Sequence, residues 1–282
     1  MRTLSKQNDR IWLAIWLAGL GGLALWDVAF LNRPSLLLVQ TAALNTAFAC
    51  FVAIVCSMGL GWIVGVTLYF LETRQRSLYL SVTFLLNVVR SFPQIVGALA
   101  GYTVLTLLIE NGILRSQLAQ LSWIAFVIGL FVFPEVVDLV RERIAYHSKL
   151  DFFGAMLSCG IKESRIVNRE ILWKNSRAHL LHKFVSIAGI TIFLQCSIDF
   201  VVSVGLSTDV SLSNFPVTLG SLLAKLDSKQ DILAIGTTLL RLDNVSSLFF
   251  QHLQGISLAF IIVFSLLCLY NISNGLVKRF KL

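Results

Sequence analysis

The chain has 282 residues, of which 56% are hydrophobic and only 13% are charged, and its mean hydropathy is +0.80. A soluble domain carries about 25% charged residues, so this composition excludes a fully hydrated globular surface and indicates a protein surrounded by lipid. The formal charge of +8 does not indicate nucleic-acid binding, because the basic residues are dispersed along the chain.

Six apolar stretches reach the roughly 20 residues that a membrane-spanning helix needs. The first follows a basic start (Arg2, Lys6 and Arg10) and is interpreted as an uncleaved span, because no signal-peptide cleavage site clearly follows it. The predicted spans are residues 11–31, 43–71, 78–109, 119–140, 183–205 and 255–274. The sequence therefore predicts an all-α membrane bundle in which Arg90 and Pro93 interrupt the third span.

Lys and Arg are distributed unequally between the two sides of this bundle. Seventeen of the 23 lie at the termini or in the loops after spans 2 and 4, five lie on the other side, and Arg90 lies within a span. Because cytoplasmic loops are rich in Lys and Arg, both termini and the loop 141–182 are predicted to be cytoplasmic. Residues 206–254 then form an external segment. It is interpreted either as a docking surface for a binding protein or, around 232–250, as an interfacial helix.

Motifs for catalysis and nucleotide binding are absent from the sequence. No GxxxxGK(S/T) phosphate loop, HExxH or GxSxG sequence occurs. The five cysteines form no CxxC pair, and the four histidines form no convincing set of metal ligands. The chain is therefore expected not to be an enzyme and to bind no metal or cofactor of its own.

The segment DFFGAMLSCGIKESRIVNREILWKN, residues 151–175, predicts two short amphipathic helices separated by a turn at Gly160 with positive φ. The apolar face of the first helix consists of Phe152, Phe153, Met156 and Leu157. The second helix carries an apolar stripe at positions i, i+1, i+5 and i+6, namely Ile166, Val167, Ile171 and Leu172. Either the membrane surface or another protein is expected to cover this stripe.

This segment resembles the conserved cytoplasmic loop of ABC importer permeases, whose general form is EAA, three residues and then glycine. It is most similar to the version in dipeptide, oligopeptide and nickel permeases. The matching residues are Asp151, Phe152, Ala155, Gly160, Arg165, Arg169, Ile171, Leu172 and Asn175, whereas Gly154, Met156 and Glu170 depart from the pattern. Further segments resemble the family in the same order: VVRSFPQIV (88–96), FPEVVDLVR (133–141), FPVTLGSLL (215–223) and YNISNGLVKRF (270–280).

The resemblance implies a type I ABC importer permease fold. Residues 1–42 would form the first transmembrane helix and a short external loop, and residues 43–282 the permease domain. It also implies transport of peptides or a similar small solute across the plasma (inner) membrane of a prokaryote. ATP and Mg²⁺ would be bound by partner ATPase subunits. A second permease in a heterodimer and an extracytoplasmic substrate-binding protein are the other implied partners.

The resemblance further implies that the first loop helix contacts the ATPase. The residues in that contact and its turn are Asp151, Phe152, Phe153, Ala155, Met156, Gly160 and Arg165. Two other functions stay open: a permease of another importer class, such as phosphonate or amino-acid uptake, and a secondary transporter that needs no ATPase. The second often has inverted repeats, which the sequence does not show.

Four residues within the predicted spans are candidates for the translocation pathway: Arg90, Pro93, Pro134 and Asp199. Arg90 is interpreted either as a pathway charge, with Asp199, Glu135 or Asp138 as its partner, or as a residue that snorkels to the interface. Asp199 is interpreted either as a substrate contact or as a structural pair with a helix end or another subunit. The two prolines are expected to weaken and bend their helices.

Overall fold

The computed structural model describes residues 8–205, 215–225 and 253–280, and this part of the chain contains helices and no strand. The α-helices are α1 (Asn8–Phe30), α2 (Arg33–Arg74), α3 (Arg76–Ser91), α4 (Gln94–Glu110), α5 (Gln117–His147), α6 (Asp151–Ser158), α7 (Arg177–Gly205), α8 (Leu219–Lys225) and α9 (Leu253–Phe280). A single helical turn (Glu163–Arg165) and a π-helix (Ile166–Asn175) lie between α6 and α7.

Five of the described helices are long and apolar enough to cross a membrane: α1, α2, α5, α7 and α9. The pair α3–α4 makes a sixth span if it is counted as one bent element. The predictions of an all-α fold and of about six helices that are long and apolar enough to span a membrane are confirmed for the described part of the chain. The two helices of the pair meet at 90°, and Phe92 between them is extended with φ −85° and ψ 128°. Pro93 explains this break, because proline disfavours helical geometry at the residue before it.

The loop between the first two predicted spans is shorter in the structure than the sequence predicts. α1 ends at Phe30 and α2 already begins at Arg33, so residues 33–42 are helical. Pro34 lies in the first turn of α2, where its missing N–H group would have no partner in any case. With 42 residues, α2 is about 63 Å long, twice the roughly 30 Å of a bilayer's hydrocarbon core.

α5 lies at the centre of the bundle between α2 and α4. Each of these two neighbours presents a G-x-x-x-G pair to it, Gly61 with Gly65 and Gly97 with Gly101. A Cβ atom at Gly61 would lie 2.4 Å from Cβ of Val136, and one at Gly101 would lie 2.3 Å from Cγ1 of Val127. Because small residues let membrane helices approach closely, these glycines seat α2 and α4 against α5.

The start of α1, the end of α9 and the segment between α5 and α7 lie at one end of the bundle. Arg279 donates to Asp9 at 2.8 Å, Tyr69 near the end of α2 donates to Glu163 at 2.9 Å, and Ser273 of α9 lies 2.8 Å from His182 of α7. We call this the basic end, because Arg74, Arg76, Lys149 and Lys278 also lie there.

Candidate coupling loop and translocation residues

The turn after α6 has the hydrogen bonds of a Schellman motif. The N–H of Gly160 donates to the carbonyl of Leu157 at 2.9 Å, and the N–H of Ile161 donates to the carbonyl of Met156 at 3.2 Å. Gly160 has φ +75°, the left-handed conformation that this motif requires and that glycine adopts without a steric penalty. The predicted positive-φ turn at Gly160 is therefore confirmed.

α6 has one buried side and one exposed side. Phe153 is buried in the main hydrophobic core, and Phe152 and Met156 are half-buried against that core. Asp151, Ala155, Gly160 and Arg165 are exposed. The Phe153 ring therefore packs within its own chain, and Asp151 and Ala155 lie on the exposed side of α6.

The apolar stripe on the second loop helix is covered by this chain. Ile166, Val167, Ile171 and Leu172 each have 0% exposure and belong to the main core. The expectation that membrane or another protein covers the stripe is wrong. Its segment is a π-helix, in which residues five apart are linked by hydrogen bonds. In an α-helix, residues five apart point about 140° away from each other around the helix axis. The π-helix therefore brings the four residues of the stripe to one side, which an α-helix would not.

Two hydrogen bonds join this segment to the end of α2. Trp62 donates from Nε1 to Oδ1 of Asn168 at 2.8 Å, and the Tyr69 hydroxyl donates to Glu163 at 2.9 Å. The π-helix also packs against α5 and α7. The loop is therefore fixed to three membrane helices, and the exposed side of α6 projects from a rigid base.

A charged cluster lies where the α3–α4 break meets α5 and α7. Its members are Arg90, Gln94, Glu135, Asp138 and Lys183. The Arg90 guanidinium forms an ion pair with Asp138, and its Nη2 lies 3.5 Å from the Pro134 carbonyl oxygen. Glu135 accepts hydrogen bonds from Gln94 and Lys183, both at 3.1 Å. Of the three partners considered for Arg90, Asp138 is the one observed.

The charged cluster lies close to the basic end and is only partly buried. Lys183 is six residues from the start of α7, about 9 Å along the helix. The side chains of Arg90 and Asp138 are 33% and 60% exposed. This pair is therefore accessible from the surface of the bundle. Such exposure fits the interpretation of Arg90 as a residue that snorkels to the membrane interface.

Asp199 lies far from the charged cluster, 16 residues beyond Lys183 and thus about 24 Å along α7. Its Oδ2 accepts a hydrogen bond from Thr218 Oγ1 at 2.5 Å, at the start of α8. The Leu219 N–H in turn donates to Thr46 of α2 at 3.0 Å. A Cβ atom at Gly220 would lie 2.7 Å from Cα of Cys196, so the glycine is needed for α8 to approach α7. These contacts fit the interpretation of Asp199 as a structural pair with a helix end.

Two buried polar residues on α7 escaped the sequence analysis. Thr191 and Gln195 precede Asp199 at intervals of four residues, which places all three on one face of the helix. Thr191 is 0% exposed and Gln195 is 1% exposed. Neither the Thr191 hydroxyl nor either amide atom of Gln195 has a hydrogen-bond partner in the described part of the chain. A polar residue at every fourth position of an apolar span is the sequence pattern that would have predicted this polar face of α7.

The two prolines act differently. Pro93 precedes α4 at the 90° break, whereas Pro134 lies inside α5, which continues to His147. The structure thus brings Arg90, Pro93 and Pro134 together near the basic end and places Asp199 elsewhere. No group of three or more His, Cys, Asp or Glu side chains suited to a metal ion occurs within residues 8–205, 215–225 and 253–280.

Comparison of the chain with protein-family models and with curated proteins finds no match.

Proposed function

We propose that this chain is a permease subunit of a binding-protein-dependent ABC importer of the peptide type. The observation that carries the proposal is the form of α6, a short helix at the basic end with one side packed on the bundle and the other exposed. Asp151 and Ala155 lie on the exposed side, in the segment that resembles the ATPase-contacting loop of such permeases. An ATPase cleft is the proposed partner of this side.

The packing of the loop supports a mechanical role for α6. Phe153 and the buried π-helix stripe belong to the same core as residues of α5 and α7. Because protein interiors are close-packed and transmit displacement, a movement of α6 would be carried into these two helices. α5 also carries Glu135 and Asp138 of the charged cluster, and α7 carries Lys183. A continuous set of packed helices would thus connect the proposed ATPase contact on α6 with the proposed translocation pathway.

The remaining parts of the importer are proposed in other chains. ATP and Mg²⁺ would be bound by the ATPase subunits, and an extracytoplasmic binding protein would deliver a peptide or a similar small solute. A second, different permease subunit would complete the pathway. The basic end would face the cytoplasm of a prokaryotic cell, because Lys and Arg accumulate on that side of membrane proteins.

The proposal is tested by purifying the tagged chain in mild detergent after cross-linking in its native membrane. We expect a P-loop ATPase and a second permease to be recovered with it. Ala155→Arg places a long charged side chain on the exposed side of α6, and it should reduce ATPase recovery at least about tenfold, which corresponds to ~1.4 kcal/mol.

The matched control is Ala29→Arg, the same change at an exposed position at the opposite end of the bundle. It should leave ATPase recovery unchanged, because an arginine near a helix end can reach the interface. Recovery of the wild-type chain alone, even after cross-linking, would remove the importer proposal. A different importer class would give the same recovery but a different transported solute.

A secondary transporter is the second candidate function, and the α3–α4 break is the observation that favours it. Discontinuous helices line the substrate sites of many such transporters, usually in two matching positions. Among the spans that the structure describes, only α3–α4 is bent in this way. Solute uptake by vesicles that contain this chain without any ATPase would establish this alternative.

A further inference from the structure

A groove of about 590 Å³ opens between α1 and α2, with α9 at its floor. Its walls are mostly apolar and include Leu20 and Ala24 of α1, Val39 and Ala43 of α2, and Ile261 of α9. α1 lies at the edge of the bundle, since only 6% of its most apolar stretch is buried. In a membrane-spanning chain, hydrocarbon is therefore in contact with this groove.

The groove contains one acidic side chain, Asp27 of α1. Asp27 is 3% exposed, and its Oδ1 accepts a hydrogen bond from the Ser257 hydroxyl at 2.6 Å. No Lys, Arg or His forms an ion pair with it in the described part of the chain. The Ser257 hydroxyl supplies only one donor, and a cation beside Asp27 would lower the cost of burying the carboxylate further. The groove therefore suits a ligand that carries both a cation and an apolar body.

The position of Asp27 fits the depth of a lipid headgroup. Asp27 lies three residues before the end of α1 at Phe30, where the chain turns back into α2. The neighbouring rings of Trp26 and Phe30 have centroids 4.6 Å apart, and both side chains are exposed. Aromatic residues, tryptophan above all, are enriched at the membrane–water interface. Arg33, the first residue of α2, is also exposed at this turn.

The length of the groove fits one acyl chain. On α1 it extends from Trp16 to Val28, about 18 Å along the helix. One leaflet of the hydrocarbon core is about 15 Å thick. A chain that enters beside Asp27 would therefore end near Trp16, whose Nε1 donates to Ser265 at 3.1 Å across the floor of the groove.

We infer that this groove binds an aminophospholipid, with its primary ammonium group on the Asp27 carboxylate and one acyl chain between α1 and α2. A primary ammonium can donate hydrogen bonds to Asp27, whereas the quaternary ammonium of a choline lipid cannot. The exposed Arg33 at the same turn suits the lipid phosphate. This site is separate from α6 and from the charged cluster, and it does not depend on the proposed function.

The test compares two lipids that differ only in the headgroup amine. The purified full-length chain is reconstituted in equimolar dioleoyl phosphatidylethanolamine and dioleoyl phosphatidylcholine, extracted in mild detergent, and its bound lipid is measured by native mass spectrometry. We expect the ethanolamine lipid to be retained about tenfold over the choline lipid, the effect of a charge-assisted hydrogen bond. Asp27→Asn keeps the size of the side chain and its bond to Ser257, and it should reduce this excess below about threefold.

Two further variants identify the source of any change. Glu72→Gln alters an exposed carboxylate at the other end of α2 and should keep the tenfold preference. Ala43→Phe fills the groove and should expel both lipids while the chain stays monodisperse. Equal retention of the two lipids by the wild type, or an unchanged preference in Asp27→Asn, would overturn the inference. So would a lipid-free groove covered by a second protein chain.

Discussion

At the scale of single residues, two glycines of the segment 151–175 are expected to respond in opposite ways to substitution by alanine. Gly160 has φ +75° with open space around its Cα, so only backbone strain opposes Gly160→Ala. This strain costs about 1–2 kcal/mol and should loosen the turn after α6. Gly154 is helical and exposed with equally open space, and Gly154→Ala should stabilise α6 by about 0.5–1 kcal/mol. Amide hydrogen exchange over residues 151–160 measures both effects, and parallel changes would contradict this account.

Variants of the ion pair between Arg90 and Asp138 are expected to change solute uptake more than the stability of the protein. Because both side chains are partly exposed, their coupling in a double-mutant cycle should be about 1 kcal/mol or less. Arg90→Glu and Asp138→Arg are each expected to reduce solute uptake, since each places like charges together at the α3–α4 break, and the double variant should restore it. Thermal unfolding in detergent and uptake assays measure the two effects. Full uptake by both single variants would exclude a role in the pathway.

The identity of the Arg90 partner shows what the sequence leaves open at this scale. Glu135, Asp138 and Asp199 are all carboxylates within or near spans, and charge alone does not choose among them. Asp138 is the partner because the 90° break at Phe92 and Pro93 places Arg90 beside the helical turn of α5 that carries Asp138. Asp199 instead contacts Thr218, because α8 folds back against α7 at the opposite end.

At the scale of helices, the seam between α2 and α5 is predicted to depend on Gly61. A Cβ atom there would lie within 3.1 Å of Val136 and of the Phe133 carbonyl, so Gly61→Ala should destabilise the bundle by about 1–3 kcal/mol. Gly59 lies two residues earlier with nothing within 4 Å. Gly59→Ala should be neutral or stabilising by up to ~1 kcal/mol. Thermal unfolding in the same detergent compares them, and equal midpoints would show that the seam is not tightly packed.

The segment 151–175 shows which helical features can be predicted from sequence. Its Gly160 turn could be predicted, because a glycine between two amphipathic stretches has a local cause. The cover over Ile166, Val167, Ile171 and Leu172 could not, because it depends on α5 and α7, which are distant in sequence. Their spacing of five residues does not match the α-helical period. That mismatch is the local sign of a π-helix, but it does not show which neighbouring helices cover the stripe.

At the scale of the whole molecule, hydropathy alone identifies the five described helices that are long and apolar enough to span a membrane, because every backbone group inside lipid must be hydrogen-bonded within a helix. It does not give the 90° angle at which the predicted span 78–109 divides into α3 and α4. The same measure placed the start of α2 ten residues late, since polar residues such as Gln40 and Thr41 reduce hydropathy without ending a helix. The predicted features of residues 206–214 and 226–252, including the amphipathic stretch around 232–250, lie outside the described residues.

The orientation of the whole bundle is predicted from its basic end and can be measured through one cysteine. Cys159 is exposed beside Gly160, whereas Cys50 and Cys268 are buried and Cys56 and Cys196 are half-buried. If the basic end is cytoplasmic, a membrane-impermeant maleimide should label Cys159 only after cells are permeabilised. In a Cys159→Ser background, Asn111→Cys adds an exposed thiol at the opposite end, which should be labelled in intact cells.

The reverse labelling pattern would have a consequence beyond topology. α6 would then lie outside the cell, where no cytoplasmic ATPase can reach Asp151 or Ala155, and the importer proposal would fail together with the orientation. The distribution of Lys and Arg and the exposed side of α6 are independent features of the chain, one of charge and one of packing. Labelling of Cys159 from the cytoplasmic side would therefore bring both to the same surface, which is the arrangement that ATP-driven coupling through α6 requires.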